Sequence, residues 1–190
     1  MRDNKKDIII ELLESGGENP TIRQLSQKTG IRYTNVYSIV KKLAGEDLIN
    51  LEKVGNSFQC SLNKQVHPLI FSAEFERKKT LNQGSDFKVL YKRLNSLKFS
   101  FIALIFGSYA KGTASNSSDI DLMVIGDESR EKEINSVLSV LPLKIHLLFF
   151  TNDEFLKMAQ SKEFSVVGEA IQNNIILIGI EDYYRLMEDG

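Results

Sequence analysis

Phe106-Gly107-Ser108-Tyr109-Ala110-Lys111-Gly112 and, after the polar loop Thr113-Ala114-Ser115-Asn116-Ser117, Ser118-Asp119-Ile120-Asp121-Leu122-Met123-Val124 form the stretch that decides the fold. The apolar run Phe99–Phe106 reads as a buried strand by its continuous apolar character. It ends in a Gly-Ser turn, and a second strand follows over Asp119–Ile125 with two carboxylates two residues apart. Side chains alternate along a strand, so Asp119 and Asp121 point to one face. Two carboxylates on one face can share divalent cations, and Mg²⁺ takes hard oxygen ligands together with substrate phosphates. At Gly107 no Cβ stands between the backbone N–H groups and an approaching phosphate. The Ser108 hydroxyl can donate to the same phosphate, and a helix beginning after Gly107 would add its N-terminal dipole. Lys111 either adds a charge contact or lies in solvent.

Outward from this stretch, Lys144–Phe150 reads as a third strand and Ile175–Ile178 as a short fourth. Helical patterns near Glu131–Leu141, Asp153–Gln160 and Val166–Asn173 lie between them, with Asn152 or Asp153 as the cap of the middle one. One sheet with flanking helices, α+β overall, is the expected architecture. Residues Ala103–Val124 resemble the polymerase-beta-like nucleotidyltransferase superfamily, and within it the small, minimal prokaryotic members. Gly107-Ser108, Gly112, Ser118-Asp119 and Asp121 carry the likeness.

The resemblance implies a nucleotidyltransferase domain over residues 99–190 that uses a nucleoside triphosphate, ATP foremost, with Mg²⁺ or Mn²⁺. Asp119 and Asp121 would be catalytic and hold the metal. Gly107, Ser108, Lys111, Gly112 and Ser118 would hold the nucleotide. The implied chemistry is in-line attack of an acceptor hydroxyl, on RNA, protein or a small molecule, at the α-phosphate, with pyrophosphate leaving. Active members carry a third carboxylate on a neighbouring strand; the residue at that place here is His146. Imidazole can act as a general base near neutral pH, but it is a poor Mg²⁺ ligand. His146 is thus a catalytic substitute, the mark of a site that binds nucleotide without turnover, or a strand histidine with no part in the site.

The N-terminal third reads differently. Ile8, Ile9, Leu12 and Leu13 recur at helical spacing over about residues 4–15, and Gly16-Gly17 stops the helix. Thr21 and Gln24 make a capping-box pattern for a second helix with Ile22, Leu25 and Ser26 inward. Gly30 turns the chain into a third helix, Tyr33 to Gly45, striped by Val36, Ile39, Val40 and Leu43. Strands over Leu48–Glu52 and Ser57–Leu62 flank the turn signal Gly55-Asn56. Three helices and a hairpin describe a winged helix-turn-helix, and Thr21–Leu51 resembles the winged-helix transcription regulators of prokaryotes. That likeness implies DNA binding through Arg32, Tyr33, Thr34, Asn35, Tyr37, Ser38, Lys41, Lys42 and, from the wing, Lys53 with Asn56. The alternative for this face is a solvated surface used for protein interaction or dimerisation.

The expected organisation is residues 1–66 as the winged helix-turn-helix, 67–98 as a charged helical linker offering a homodimer surface, and 99–190 as the catalytic domain. Gly84-Ser85-Asp86 divides the linker, and Arg77-Lys78-Lys79 reads as a solvated face. Composition sets bounds. One cysteine, Cys60, excludes an intramolecular disulfide framework, and two histidines, His67 and His146, exclude a histidine cage. Residues 1–66 hold ten Lys/Arg against eight Asp/Glu, a balance of +2, within a chain of net charge −1. The chain is therefore no simple polycation. Without a leader or an apolar span, a cytoplasmic protein with no membrane partner is expected. Two functions follow: a metal-dependent nucleotidyltransferase joined to a DNA-binding winged helix, or a DNA-binding regulator whose degenerate second domain senses nucleotide or a partner.

Overall fold

The computed structural model describes residues 3–115, 118–161 and 165–189. Asn116 and Ser117 of the polar loop lie outside them. The chain divides into two compact units, Met1–Ala73 and Glu74–Gly190. The division falls inside the segment read as a linker.

In the N-terminal unit the local signals act as their chemistry dictates. Helix α1 (Asn4–Glu14) is capped by the Asp3 carboxylate, which accepts from the N–H groups of Lys5 and Lys6, and it buries Ile8, Ile9, Leu12 and Leu13. Helix α2 (Ile22–Thr29) starts on the reciprocal Thr21–Gln24 capping box and ends at Gly30 with φ +69°. Helix α3 (Tyr33–Gly45) buries Val36, Val40 and Leu43. Strands β1 (Ile49–Val54) and β2 (Ser57–Leu62) pair antiparallel around Gly55, with Leu51 opposite Cys60. The Cys60 N–H donates to Pro20 O at 2.9 Å, which ties the hairpin to the start of α2. Burial of Cys60 excludes it from surface chemistry and pushes its thiol up to about 11.

Helix α4 (Pro68–Leu81) runs across the division. In the C-terminal unit it is followed by α5 (Ser85–Leu94), β3 (Ile102–Ile105), the single turn α6 (Gly107–Ala110), β4 (Ile120–Ile125), α7 (Glu131–Ser139), β5 (Ile145–Phe150), α8 (Asn152–Gln160), α9 (Val166–Gln172), β6 (Ile175–Ile178) and α10 (Ile180–Asp189). The sheet order is β5-β4-β3-β6; β4 and β5 are parallel, and β3 runs antiparallel to both β4 and β6. Phe87, Leu90 and Leu94 of α5 and Ile134 and Leu138 of α7 pack with Ala103, Ile105, Leu122 and Val124 in one core. Phe155 of α8 and Tyr183 of α10 meet edge to face at 6.4 Å elsewhere in the unit.

Three expectations change. The strand expected over Phe99–Phe106 pairs only over Ile102–Ile105; Phe101 and Phe106 are buried outside that paired register, because apolar character reports burial and not strand extent. Helix α8 is capped by Thr151 in a capping box with Glu154, not by Asn152 or Asp153. Arg77 is no part of a solvated face: it is only 5% exposed. Its Nη1 lies 2.8 Å from Glu74 Oε2, and its Nη2 donates to Asn174 O at 2.6 Å. Tyr184 Oη donates to Glu74 Oε1 at 2.8 Å. A buried charge is stable only when paired and hydrogen-bonded, and this one is both.

Candidate active site

The site is built where β3 ends and β4 begins. Phe106 N–H donates to Asp121 O at 3.1 Å, so the chain leaving β3 is pinned beside the start of β4. Gly107 then takes φ +64° and is buried directly against the Asp121 carboxylate; a Cβ here would collide with Asp121 Oδ2. Glycine is required twice over, by backbone sign and by space. The half-buried Ser108 follows in the first turn of α6.

Ser118 closes the loop. Ser115 N–H donates to Ser118 Oγ at 2.9 Å, and Ser118 N–H donates to Ser115 O at 3.0 Å. Tyr109 Oη reaches Ser118 O at 3.4 Å, and Gly112 turns with φ +69°. Asp119 precedes the first paired residue of β4, and Asp121 is the second residue of that strand. Both line an open cleft of about 600 Å³ together with Lys144, Ile145 and His146.

His146 stands opposite Asp121 in the parallel β4–β5 register. Its Nδ1 lies 3.2 Å from Asp121 Oδ1, and its side chain is 61% exposed. The structure therefore brings Gly107, Asp119, Asp121 and His146 together. Lys111 is held differently: its Nζ lies 2.6 Å from Glu169 Oε1 of α9. Glu169, 58 residues from Lys111, has no sequence signal that would have singled it out. Lys144 was within reach of one, since it precedes His146 by two residues and shares its face.

Among the described residues, no three His, Cys, Asp or Glu side chains form a metal site by themselves. Asp119 and Asp121 offer two carboxylates on one cleft, a donor set suited to Mg²⁺ that completes its shell with substrate phosphates. A larger cavity of about 700 Å³, lined by Phe101, Asp127, Asp153 and Arg185 among others, contains none of the motif residues.

The residues proposed for DNA are placed together on the N-terminal unit. Arg32, Tyr33, Thr34, Asn35, Tyr37, Ser38, Lys41, Lys42 and Lys53 are all exposed, the first eight on or next to α3 and Lys53 on β1. Tyr33 and Tyr37 lie with ring centroids 6.3 Å apart. Lys41 Nζ sits 4.5 Å over the Phe58 ring of β2 and 5.8 Å from that of Tyr37.

Residues 92–172 match the family model of a nucleotidyltransferase domain. The matched segment contains the Gly-Ser turn, both carboxylates, His146 and Glu169. It supports a general nucleotidyl-transfer function, and the family generally uses a nucleoside triphosphate with a divalent metal. No curated protein and no solved structure matches the chain. No helix among the described residues is long and apolar enough to cross a membrane.

Proposed function

We propose that the C-terminal unit transfers a nucleoside monophosphate from a nucleoside triphosphate, ATP foremost, to a hydroxyl of an RNA, protein or small-molecule acceptor. The observation that carries this reading is the packing of Gly107 on Asp121 beside Asp119, which sets an unobstructed backbone turn against two carboxylates. The turn at Gly107-Ser108 supplies N–H groups and a hydroxyl to the triphosphate, and Gly112 and Ser118 hold the loop that follows. Asp119 and Asp121 would hold Mg²⁺ or Mn²⁺. Bound there, the metal would neutralise the charge that develops on phosphate oxygens during displacement.

The acceptor oxygen bonds to the α-phosphorus as the bond to pyrophosphate breaks, and the acceptor proton needs a base. His146 takes that role, its ring oriented by Asp121 through Nδ1 so that Nε2 is the nitrogen left to accept the proton. Lys111 is held in an ion pair with Glu169 beside the turn, and it would bring positive charge to the triphosphate on exchanging that carboxylate for a phosphate. Incubation with α-labelled nucleoside triphosphates, metal and a cell lysate tests the reading. Label passes to an acceptor with the wild-type chain and not with Asp119→Ala/Asp121→Ala.

One observation favours a second reading. The place opposite Asp121 holds an exposed imidazole and no third carboxylate. On that reading the unit binds nucleotide without turnover and the protein is a nucleotide-sensing regulator. His146→Asp separates the two: a gain in transfer fits a weakened enzyme, and unchanged silence with metal-dependent nucleotide binding fits the sensor.

We further infer that the N-terminal unit binds DNA as a winged helix, with α3 in the major groove and Lys53 reaching from the hairpin. The exposed row from Arg32 to Lys42 supports this. Neutralising Lys41, Lys42 and Lys53 together should weaken binding of a labelled duplex and reduce its salt dependence by about three phosphate contacts. Binding that is independent of salt would exclude this mode.

A further inference from the structure

Lys111 is rooted at the turn that the nucleotide reading assigns to the triphosphate. Its N–H donates to Gly107 O at 3.1 Å, closing the single turn α6. Residues four apart on a helical turn share a face, so the lysine stem leaves from the side on which Gly107 opens. The ammonium is already engaged there: Nζ lies 2.6 Å from Glu169 Oε1. The two side chains are 42% and 27% exposed, so solvent reaches both partners.

The partners differ in freedom. Glu169 belongs to α9, which is tied at both ends. At its start Ser165 Oγ accepts from the Gly168 N–H at 3.0 Å, and just beyond its end the buried Asn174 donates from Nδ2 to Ala170 O at 2.6 Å. Val167 and Ala170 bury the inner side of the helix. Lys111 instead carries a compact, strongly hydrated charge on a flexible four-carbon stem. An exposed pair of this kind is weakly held, because water solvates each ion when they part. Of the two, Lys111 is the one that moves, and it changes partners at little cost.

We propose that Glu169 is the resting counter-ion of Lys111 and competes for it with the outer phosphates of the nucleotide. The inference rests on the nucleotidyl-transfer reading of the site. When a nucleoside triphosphate binds, Lys111 leaves Glu169 for the β- and γ-phosphates, whose combined charge exceeds that of one carboxylate. After the displacement those phosphates are the pyrophosphate, and Glu169 takes Lys111 back as the pyrophosphate departs. Glu169 therefore acts through Lys111 as a positioning residue that loosens the grip on triphosphate and leaving group alike. A nucleoside monophosphate has no outer phosphates and does not draw Lys111 away. The sign of the effect separates this role from its opposite. A glutamate that aimed Lys111 at the phosphates would strengthen binding, and its removal would weaken it; removal of a competitor does the reverse.

The test is displacement of a fluorescent ATP analogue from the full chain, with Mg²⁺ at fixed ionic strength, by ATP, pyrophosphate and AMP. Glu169→Gln keeps the shape of the side chain and removes its charge. It should tighten ATP and pyrophosphate on the order of two- to five-fold, the worth of one exposed ion pair, and leave AMP unchanged. Lys111→Ala should weaken ATP and pyrophosphate, and Glu169→Gln added to it should have no further effect. Should Glu169→Gln fail to fold by urea titration, Glu169→Ala makes the same comparison. Weaker or unchanged ATP binding in the folded Glu169 variant overturns the proposal, as does a gain that extends to AMP or persists without Lys111. A folded wild-type chain that binds neither ATP nor pyrophosphate overturns the nucleotide reading itself, and the counter-ion role with it.

Discussion

Two groups of acids and bases lie within the C-terminal unit, and the fold treats them in opposite ways. Glu74 and Arg77 are sealed inside, each held by a second partner, Tyr184 on the acid and the Asn174 carbonyl on the base. Asp121 and His146 meet at similar range on an open cleft, hydrogen-bonded to each other, with solvent on the far side of the imidazole. The residue types scarcely differ. What separates a structural ion pair from a chemical one here is desolvation: the first has no room for a ligand, and the second keeps its oxygens and nitrogens accessible. A carboxylate beside a base is therefore informative about function only after its burial is known.

The sealed group should give the largest response. Arg77→Ala leaves Glu74 buried without its cation, which costs on the order of 3–5 kcal/mol, read as a fall in the urea midpoint. A loss below about 1 kcal/mol would place the pair with ordinary surface bridges and erase the contrast. The same region sets the alkaline limit. Burial, with Glu74 nearby, raises the Tyr184 hydroxyl well above 10.0, and burial raises Tyr183 as well. A raised folded pKa contributes stability that is present below the unfolded value near 10.0 and is lost as pH climbs through the folded one. Absorbance at 295 nm should show these two tyrosines ionising only together with unfolding.

At the open site the effects on stability are smaller and the effects on binding larger. Gly107→Ala forces a Cβ onto Asp121 Oδ2 at positive φ. It should cost about 1–3 kcal/mol and displace the carboxylate, read as weakened nucleotide binding in a chain that still folds. Asp119→Ala/Asp121→Ala should change the unfolding free energy by no more than about 0.5 kcal/mol, read from urea titration, while abolishing metal-dependent binding of a fluorescent nucleotide. A large loss of stability in that variant would mean that the two groups do not differ in kind.

The open site was far more legible in the sequence than the sealed one. Gly107, Ser108, Asp119 and Asp121 are close in the chain, and their chemistry depends on local rules: a turn that excludes a Cβ and an alternation that sends two carboxylates the same way. The Thr21–Gln24 box and the turn at Gly55 were legible for the same reason. Arg77 was misread because Arg-Lys-Lys looks polar as a block, whereas the helix turns one of the three inward. The Asn174 carbonyl that Arg77 reaches lies 97 residues onward, and the Tyr184 hydroxyl on Glu74 lies 110 residues onward, so neither leaves a local trace. The short pairing of β3 escaped for a related reason, since Phe101 and Phe106 are as apolar as the paired residues between them. Lys111 was read from its neighbours, while the Glu169 that holds it arrives from another helix.

Those same distant pairings bear on when the unit can form. β3, the strand between β4 and β6, waits for β6, with Ala103 opposite Ile178. Arg77 waits for a carbonyl 97 residues onward, and Glu74 for a hydroxyl 110 residues onward. Synthesis runs from the N-terminus, and contacts this far apart in sequence are slow to close. A nascent chain that has reached α9 therefore has both carboxylates and the Gly-Ser turn but still carries an unclosed sheet and a Glu74–Arg77 pair that has yet to gain its Asn174 carbonyl and Tyr184 hydroxyl. Completion of the C-terminal unit is an event of the last two structural elements, β6 and α10.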